Sequence, residues 1–183
     1  MYSSYETDRL ILTTLGREAA PMLLSFYEEN KDHLEPWEPM RSFNFYSLHF
    51  QKASLTAETN LMAEGKLIRY WVFQKDKPDE IIGSVCFQNF LKSPYNSCAI
   101  GYKFAKRHCR KGYAYESITK SIELLWRDYS VHRIEAYIMT NNKPSIQLIK
   151  KLDFNYEGTC FSFANIGGQW RDHNRYSIIN PGD

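Results

Sequence analysis

The stretch from Ser97 to Met139 restricts the fold more than any other part of the chain. It opens with β-rich residues, Ser97 to Phe104, and then passes through a cationic loop ending at Gly112. Apolar residues follow at Ala114, Ile118 and Ile122, four apart, and at Leu125 and Trp126, three and four beyond Ile122, which places them on one face of a helix. His132 to Met139 is β-rich again. A strand, an amphipathic helix and a strand in that order predict a parallel, right-handed crossover and hence an α/β arrangement with a mixed sheet.

The flanking segments supply the other elements. Arg9 to Leu15 alternates loosely and reads as a first strand, and a helix is expected over Arg17 to Asn30, with Pro21 tolerated in its first turn. His33 to Met40 carries Pro36 and Pro39 and reads as a loop. Ser47 is read as the N-cap of a helix reaching Glu64, where Gly65 stops it. Leu67 to Gln74 and Ile81 to Phe90, joined by a turn over Lys75 to Glu80, predict a hairpin that Ser97 to Phe104 extends into a meander. Asn142-Lys143-Pro144-Ser145 opens a short helix with Ile146, Ile149 and Leu152 on its apolar face. Asn155 to Asn165 and Trp170 to Ile179 flank Gly167-Gly168, a hairpin signal.

At 183 residues the expectation is one compact domain over residues 1–183. Hydrophobic residues at 43% and charged residues at 24% exclude a disordered or fibrous chain. Apolar runs are too short to span a membrane, and the opening Met1 to Glu6 lacks the basic and apolar parts of a secretory signal, so a soluble, cytoplasmic protein is expected. Cys86, Cys98, Cys109 and Cys160 form no C-x-x-C pair and have no His at ligand spacing. Neither a metal site nor a disulfide framework is expected, only free and mostly buried thiols.

A net charge of +2 argues against a domain-wide nucleic-acid surface, yet Lys103, Lys106, Arg107, Arg110 and Lys111 crowd five cations into nine residues, with His108 among them and no acid. They precede a helix start, whose unpaired N–H groups and partial positive charge suit an anion such as pyrophosphate, and Gly112 lets backbone approach closely. An RNA-binding module would instead spread its cations over a broad face with aromatics interleaved.

The loop Cys109-Arg110-Lys111-Gly112-Tyr113-Ala114 resembles the coenzyme loop Gln/Arg-x-x-Gly-x-Gly/Ala of the GNAT superfamily of N-acetyltransferases. Asn142-Lys143-Pro144-Ser145-Ile146 and Lys151-Leu152-Asp153-Phe154 are similar to that family's Asn-x-x-Ser and Lys-Leu-Gly-Phe segments. The opening Thr7-Asp8-Arg9-Leu10-Ile11-Leu12, the His33-Leu34-Glu35-Pro36-Trp37 segment and the closing Trp170-Arg171-Asp172 with Tyr176 are similar to the branch that contains ribosomal-protein N-terminal acetyltransferases of Rim type. The resemblance implies a GNAT fold, a mixed, mostly antiparallel twisted sheet with helices on both faces. It also implies acetyl-CoA as co-substrate. Cys109 stands where the family has Gln or Arg, which removes one contact to phosphate, and Asp153 stands where it has Gly, which predicts a different helix ending.

By the same resemblance Phe104, Ala105, Arg110, Lys111, Gly112, Tyr113, Ala114 and Asn142 would bind the coenzyme. The strand around Tyr102 to Ala105 would offer backbone N–H groups, the one near Phe104 serving the thioester carbonyl oxygen. Ser145 matches the serine that hydrogen-bonds the leaving thiolate, or serves only as a helix cap. Glu135 shares a strand face with Arg133 and Tyr137, and is either the general base or a structural partner of Arg133. Tyr102, Tyr113 and Tyr137 are further hydroxyl candidates. A glutamate that some relatives carry on the next strand is replaced by Phe163-Ala164-Asn165. Its loss favours an α-amine, whose pKa near 8 leaves it partly neutral, over a lysine that would cost about 4 kcal/mol to deprotonate near pH 7.5.

Glu35, Trp37 and Glu38 with Phe43, Phe45 and Tyr46 would suit a cationic acceptor, unless Trp37 merely packs and the glutamates are solvated. The expected acceptor is the N-terminal amine of a protein such as a ribosomal protein. The alternatives are a polyamine or antibiotic-like amine, or a non-catalytic acetyl-CoA sensor. Trp170 and Tyr176 are the candidates for a homodimer or larger homo-oligomer contact.

Overall fold

The computed structural model describes residues 4–182 and holds one eight-stranded sheet. Met1 to Ser3, half of the stretch read for a secretory signal, lie outside the described residues. β1 (Ser4–Glu6), β2 (Leu10–Thr13), β3 (Leu67–Gln74), β4 (Lys77–Leu91) and β5 (Ser97–Phe104) run antiparallel in chain order. β5 then pairs parallel with β6 (Arg133–Met139), and β8 (Gln169–Ile179) lies antiparallel between β6 and the outer strand β7 (Asn155–Ile166).

Helices cover both faces, as the resemblance implies. On one face α4 (Tyr113–Asp128) and α5 (Lys143–Lys151) bury Ile118, Ile122, Leu125 and Ile149 against Val85, Phe87, Ile100 and Ile134. On the other, α1 (Ala20–Glu29) and α3 (Leu48–Ala63) bury Leu23, Phe26 and Leu55 against Trp71, Phe73 and Ile81. Each such side chain contributes about 1.5–3 kcal/mol on burial. Both expected helix boundaries of α3 hold: the Ser47 hydroxyl accepts from the Phe50 N–H, and Gly65 takes a left-handed φ of 67° where its N–H meets the Met62 carbonyl.

Several expectations need correction. β1 was not anticipated; three residues carry too little alternation to read, and the strand exists because it pairs with β2 and sets Tyr5 edge-on against Tyr70. His33 to Met40 is not a plain loop: α2 (Lys31–Leu34) runs into a 3-10 turn over Glu35–Trp37, with Pro36 in its first turn where the missing N–H costs nothing. The β3–β4 turn is only Lys75-Asp76, because Gln74 pairs with Lys77. Two irregularities absorb the surplus: Phe73 pairs with Ile81, leaving Pro78, Asp79 and Glu80 extra, and Val72 pairs with Gly83, leaving Ile82 extra. Asp153 does not change the ending of α5. It adopts the left-handed φ of 61° that glycine would, and the Phe154 N–H closes onto the Ile149 carbonyl. Gly167 and Gly168 both have positive φ, as the hairpin turn requires.

The four cysteines are free, but only Cys86 and Cys98 are buried, while Cys109 is exposed and Cys160 half-buried. Tyr176 is 2% exposed and so offers no surface for a partner, whereas Trp170 is 66% exposed. Among the described residues no helix is long and apolar enough to cross a membrane.

Candidate active site

The parallel ladder between β5 and β6 is short. It runs from Ser97 with Arg133 to Ile100 with Ala136 and stops, so the two strands part beyond that point. On its other edge β5 stays paired with β4, and the N–H of Ala105 reaches the Ile82 carbonyl at 2.9 Å. Alternation along the strand therefore points the N–H groups of Tyr102 and Phe104 into the opening, where no strand meets them. Phe104, expected as a backbone donor, thus turns its N–H to the opening, and so does Tyr102 of the same expected segment. Ala105 is removed, since its N–H is already spent. Gly83 makes the arrangement possible: a Cβ there would lie 2.3 Å from the Phe104 ring and 2.6 Å from the Lys103 carbonyl oxygen.

The basic segment after β5 begins with a 3-10 turn, Lys106–His108, and ends at Gly112, the left-handed N-cap of α4 with φ of 82°. Arg110 is left-handed as well, with φ of 61°. Among the described residues no acceptor meets the N–H of Arg110, Lys111 or Gly112. The first helical bond is from the Glu116 N–H to the Gly112 carbonyl, which leaves the amides of Tyr113, Ala114 and Tyr115 without helix partners. A run of unpaired amides around two left-handed residues is a concave anion site, and it fits a pyrophosphate.

The five cations do not act together. Lys103 points to the opposite side and pairs with Glu38, and Arg107 pairs with Glu80 and Glu29, where His108 also meets Glu80 at 2.8 Å. Lys106, Arg110 and Lys111 have no carboxylate within 4.0 Å among the described residues, so they carry the free positive charge. Cys109 directs its sulfur at the Ala105 carbonyl, 3.6 Å away, and at His33, 3.7 Å away. His33, which the sequence did not single out, has its pKa pushed down by burial first and Lys106 second, against a smaller raising effect of the Phe104 backbone.

Ser145 lies in the first turn of α5. Its N–H donates to the Asn142 side-chain oxygen at 3.3 Å, so Asn142 caps the helix as expected. Its hydroxyl shares a 2.7 Å hydrogen bond with the Tyr102 hydroxyl, on the side of the opening formed by β5 and α5. Burial pushes the Tyr102 phenol up to about 12, so it stays protonated at neutral pH. A proton-bearing hydroxyl pair next to a helix N-terminus is suited to receive developing negative charge.

Glu135 sits on the closed part of the sheet, opposite Ala99, before the strands part. Arg133 donates to one carboxylate oxygen at 2.8 Å and the Tyr137 hydroxyl to the other at 2.6 Å. Burial raises its pKa, but Tyr137 and Arg133 outweigh it and hold the carboxyl below the usual range. A carboxylate so occupied is a weak base, and the geometry favours the structural partnership with Arg133.

Glu35, Trp37 and Glu38 are brought near one another, but not as a cation trap. Glu38 bridges the Lys103 ammonium and the Arg41 guanidinium, while Glu35 accepts from the Tyr46 hydroxyl at 2.8 Å. Burial pushes Glu38 up, yet Lys103 and Arg41 outweigh it and keep it ionised. Arg41, 6% exposed, lies 4.4 Å from the Phe45 ring and 5.0 Å from the Tyr27 ring. Arg41 and Lys103 thus neutralise the acids, an arrangement that loop composition alone does not reveal. Trp37, 37% exposed, has no part in that network.

The parted strands, the amide-lined loop and the hydroxyl pair all lie along β5 and the starts of α4 and α5. The family profile described as Acetyltransferase (GNAT) domain matches residues 9–155, and the chain belongs to that family. It is an N-acetyltransferase.

Among individual relatives, it is 32% identical over 175 residues to the ribosomal protein uS5 alanine N-acetyltransferase of Escherichia coli (strain K12), covering 96% of this chain and 90% of that protein. It is 27% identical over 160 residues to the probable N-acetyltransferase YjcK of Bacillus subtilis (strain 168), covering 87% of this chain and 88% of that one. The crystal structure of ribosomal-protein-S5-alanine acetyltransferase from Vibrio fischeri superposes with a TM-score of 0.91 at 26% identity, covering 98% of this chain and 97% of that one.

Proposed function

We propose that this N-acetyltransferase moves the acetyl group of acetyl-CoA onto the N-terminal α-amine of a protein, of which a ribosomal protein with an N-terminal alanine is the favoured example, in the cytoplasm. The observation that carries the choice of acceptor is the neutralisation of Glu35 and Glu38. A polyamine or aminoglycoside needs unpaired acids to hold its several charges, and here Lys103, Arg41 and Tyr46 already occupy them. The 32% identity to a uS5 alanine acetyltransferase supports the same reading.

Acetyl-CoA supplies an activated thioester. The amides from Arg110 to Tyr115, with the side chains of Lys106, Arg110 and Lys111, would hold its pyrophosphate. The N–H groups of Tyr102 and Phe104 stand where backbone donors can stabilise a carbonyl oxygen, an effect worth about 3–4 kcal/mol per donor in related chemistry. The Tyr102–Ser145 pair supplies a proton or hydrogen bond to the departing sulfur. With Glu135 engaged elsewhere, the proton of the attacking amine leaves through water, which an α-amine near pKa 8 permits. Peptides with a free N-terminal alanine, tested beside spermidine, aminoglycosides and an N-terminally blocked peptide bearing lysine, decide the matter: turnover confined to the small amines overturns the proposal.

A further inference from the structure

The helix start that suits a pyrophosphate also carries a carboxylate, Glu116, in the first turn of α4. A bare helix gains from an acid there, but a bound dianion would be repelled by it. A carbonyl, that of Lys111, likewise sits among the loop amides. We infer that Arg9 is a positioning residue for coenzyme binding, which silences Glu116 and holds the Lys111 carbonyl so that the loop offers N–H groups to the phosphates; this rests on the acetyl-CoA reading above.

The geometry is specific to an arginine. The Nε and Nη2 atoms of Arg9 meet one Glu116 oxygen at 2.7 and 2.6 Å, and its Nη1 donates to the Lys111 carbonyl at 3.1 Å. The other Glu116 oxygen accepts from the Arg9 N–H at 3.0 Å and from the Thr7 hydroxyl at 2.6 Å. Both oxygens are thereby filled from one segment, Thr7 to Arg9. The guanidinium lies 4.7 Å from the centre of the Tyr113 ring, and its Nη2 would be 3.2 Å from a Cβ on Gly112. Lysine has no fork to serve a carboxylate and a carbonyl together. Although burial pushes Glu116 up, Thr7 and Arg9 hold it below the usual carboxylate range, so it stays an anion that needs this cover.

Stability does not explain the arrangement. The Arg9 side chain is 49% exposed, and ion pairs of that exposure contribute about 0–1 kcal/mol. The value of the contact lies in the field and shape of the loop.

The test compares two donors, acetyl-CoA and S-acetylpantetheine, which lacks the phosphates. Arg9→Met is expected to raise the Kd for CoA and the KM for acetyl-CoA about tenfold, equivalent to about 1.4 kcal/mol. Its kcat/KM for S-acetylpantetheine should stay within about twofold of wild type, because the truncated donor never meets the loop. Adding Glu116→Gln to Arg9→Met should recover most of the lost affinity. Arg9→Lys, which keeps charge without the fork, should show an intermediate loss, and serves in place of Arg9→Met if that variant does not fold. Equal losses with both donors, or no loss with acetyl-CoA, would overturn the inference alone. Failure of the wild-type protein to bind CoA at all would overturn the acetyl-CoA reading and the inference with it.

Discussion

Replacing Gly83 by alanine should damage catalysis through a single methyl group. The added Cβ would sit 2.3 Å from Phe104 Cδ1 and 2.6 Å from the Lys103 carbonyl oxygen, far inside van der Waals contact. The Phe104 ring is 8% exposed and enclosed by the core, and the carbonyl is backbone, so neither yields cheaply. The edge of β5 must move instead, carrying with it the N–H groups of Tyr102 and Phe104. Overpacking of this kind costs about 1–3 kcal/mol, which for a domain of this size lowers Tm by roughly 3–10 °C. Misplacing a backbone donor by an ångström costs about a hundredfold in rate. The expected outcome is a kcat about a hundred times lower, with KM for acetyl-CoA changed by less than about threefold, since the phosphate loop lies beyond the disturbed strand. Thiol release at saturating donor measures kcat, its dependence on donor concentration measures KM, and a thermal melt measures the change in Tm. Gly101→Ala, where a Cβ meets nothing within 4 Å, should melt within about 2 °C of wild type. A Gly83→Ala enzyme with lowered Tm and undiminished kcat would refute the assignment of the β5 edge as the oxyanion donor.

Four further substitutions probe the rest of the site and its support. Ser145→Ala and Tyr102→Phe should each reduce kcat about tenfold or more with little change in CoA affinity, and the double variant should lose little beyond the worse single one, because the hydroxyls act as a pair; additive losses in steady-state thiol release would contradict this. The Glu135 carboxyl has a folded pKa below its unfolded value near 4.3, so its stabilisation is present above that value and is lost as pH falls through the lowered one. Urea melts should accordingly find Glu135→Gln less stable than wild type at pH 7, with the gap closing below about pH 4, while its pH–rate profile keeps the wild-type shape; a lost acidic limb would restore Glu135 as the base. Asp153→Gly relieves a left-handed non-glycine residue and should raise stability by about 0.5–1 kcal/mol in the same melts.

Local signals made much of this protein readable. Period-3.6 spacing located α4, Ser47 and Gly65 bracketed α3, and Asn142 capped α5, each because the residue type acts on its own neighbours in sequence. The phosphate loop was legible for the same reason, being a contiguous run from Lys106 to Ala114. What resisted reading depends on distant segments. Arg9 meets Glu116 across 107 positions, and Lys103 meets Glu38 across 65. Sequence gives no sign that such charges cancel, so Glu38 read as a cation receptor and the five cations as one cluster. Ala105 and Phe104 are neighbours with opposite fates, decided by which strand edge each N–H faces. The β4–β5 register sets that edge, and no residue pattern announced it. Asp153 misled in a different way: its side chain allowed the left-handed turn that glycine usually supplies.

The decisive measurement is acetylation of a short peptide with a free N-terminal alanine, followed by mass spectrometry to locate the modified nitrogen, with acetyl-CoA as donor. A single acetyl group on the α-amine, with none on an internal lysine and none on spermidine under the same conditions, is the predicted result. Modification of the lysine or of the small amine while the α-amine remains free would contradict it.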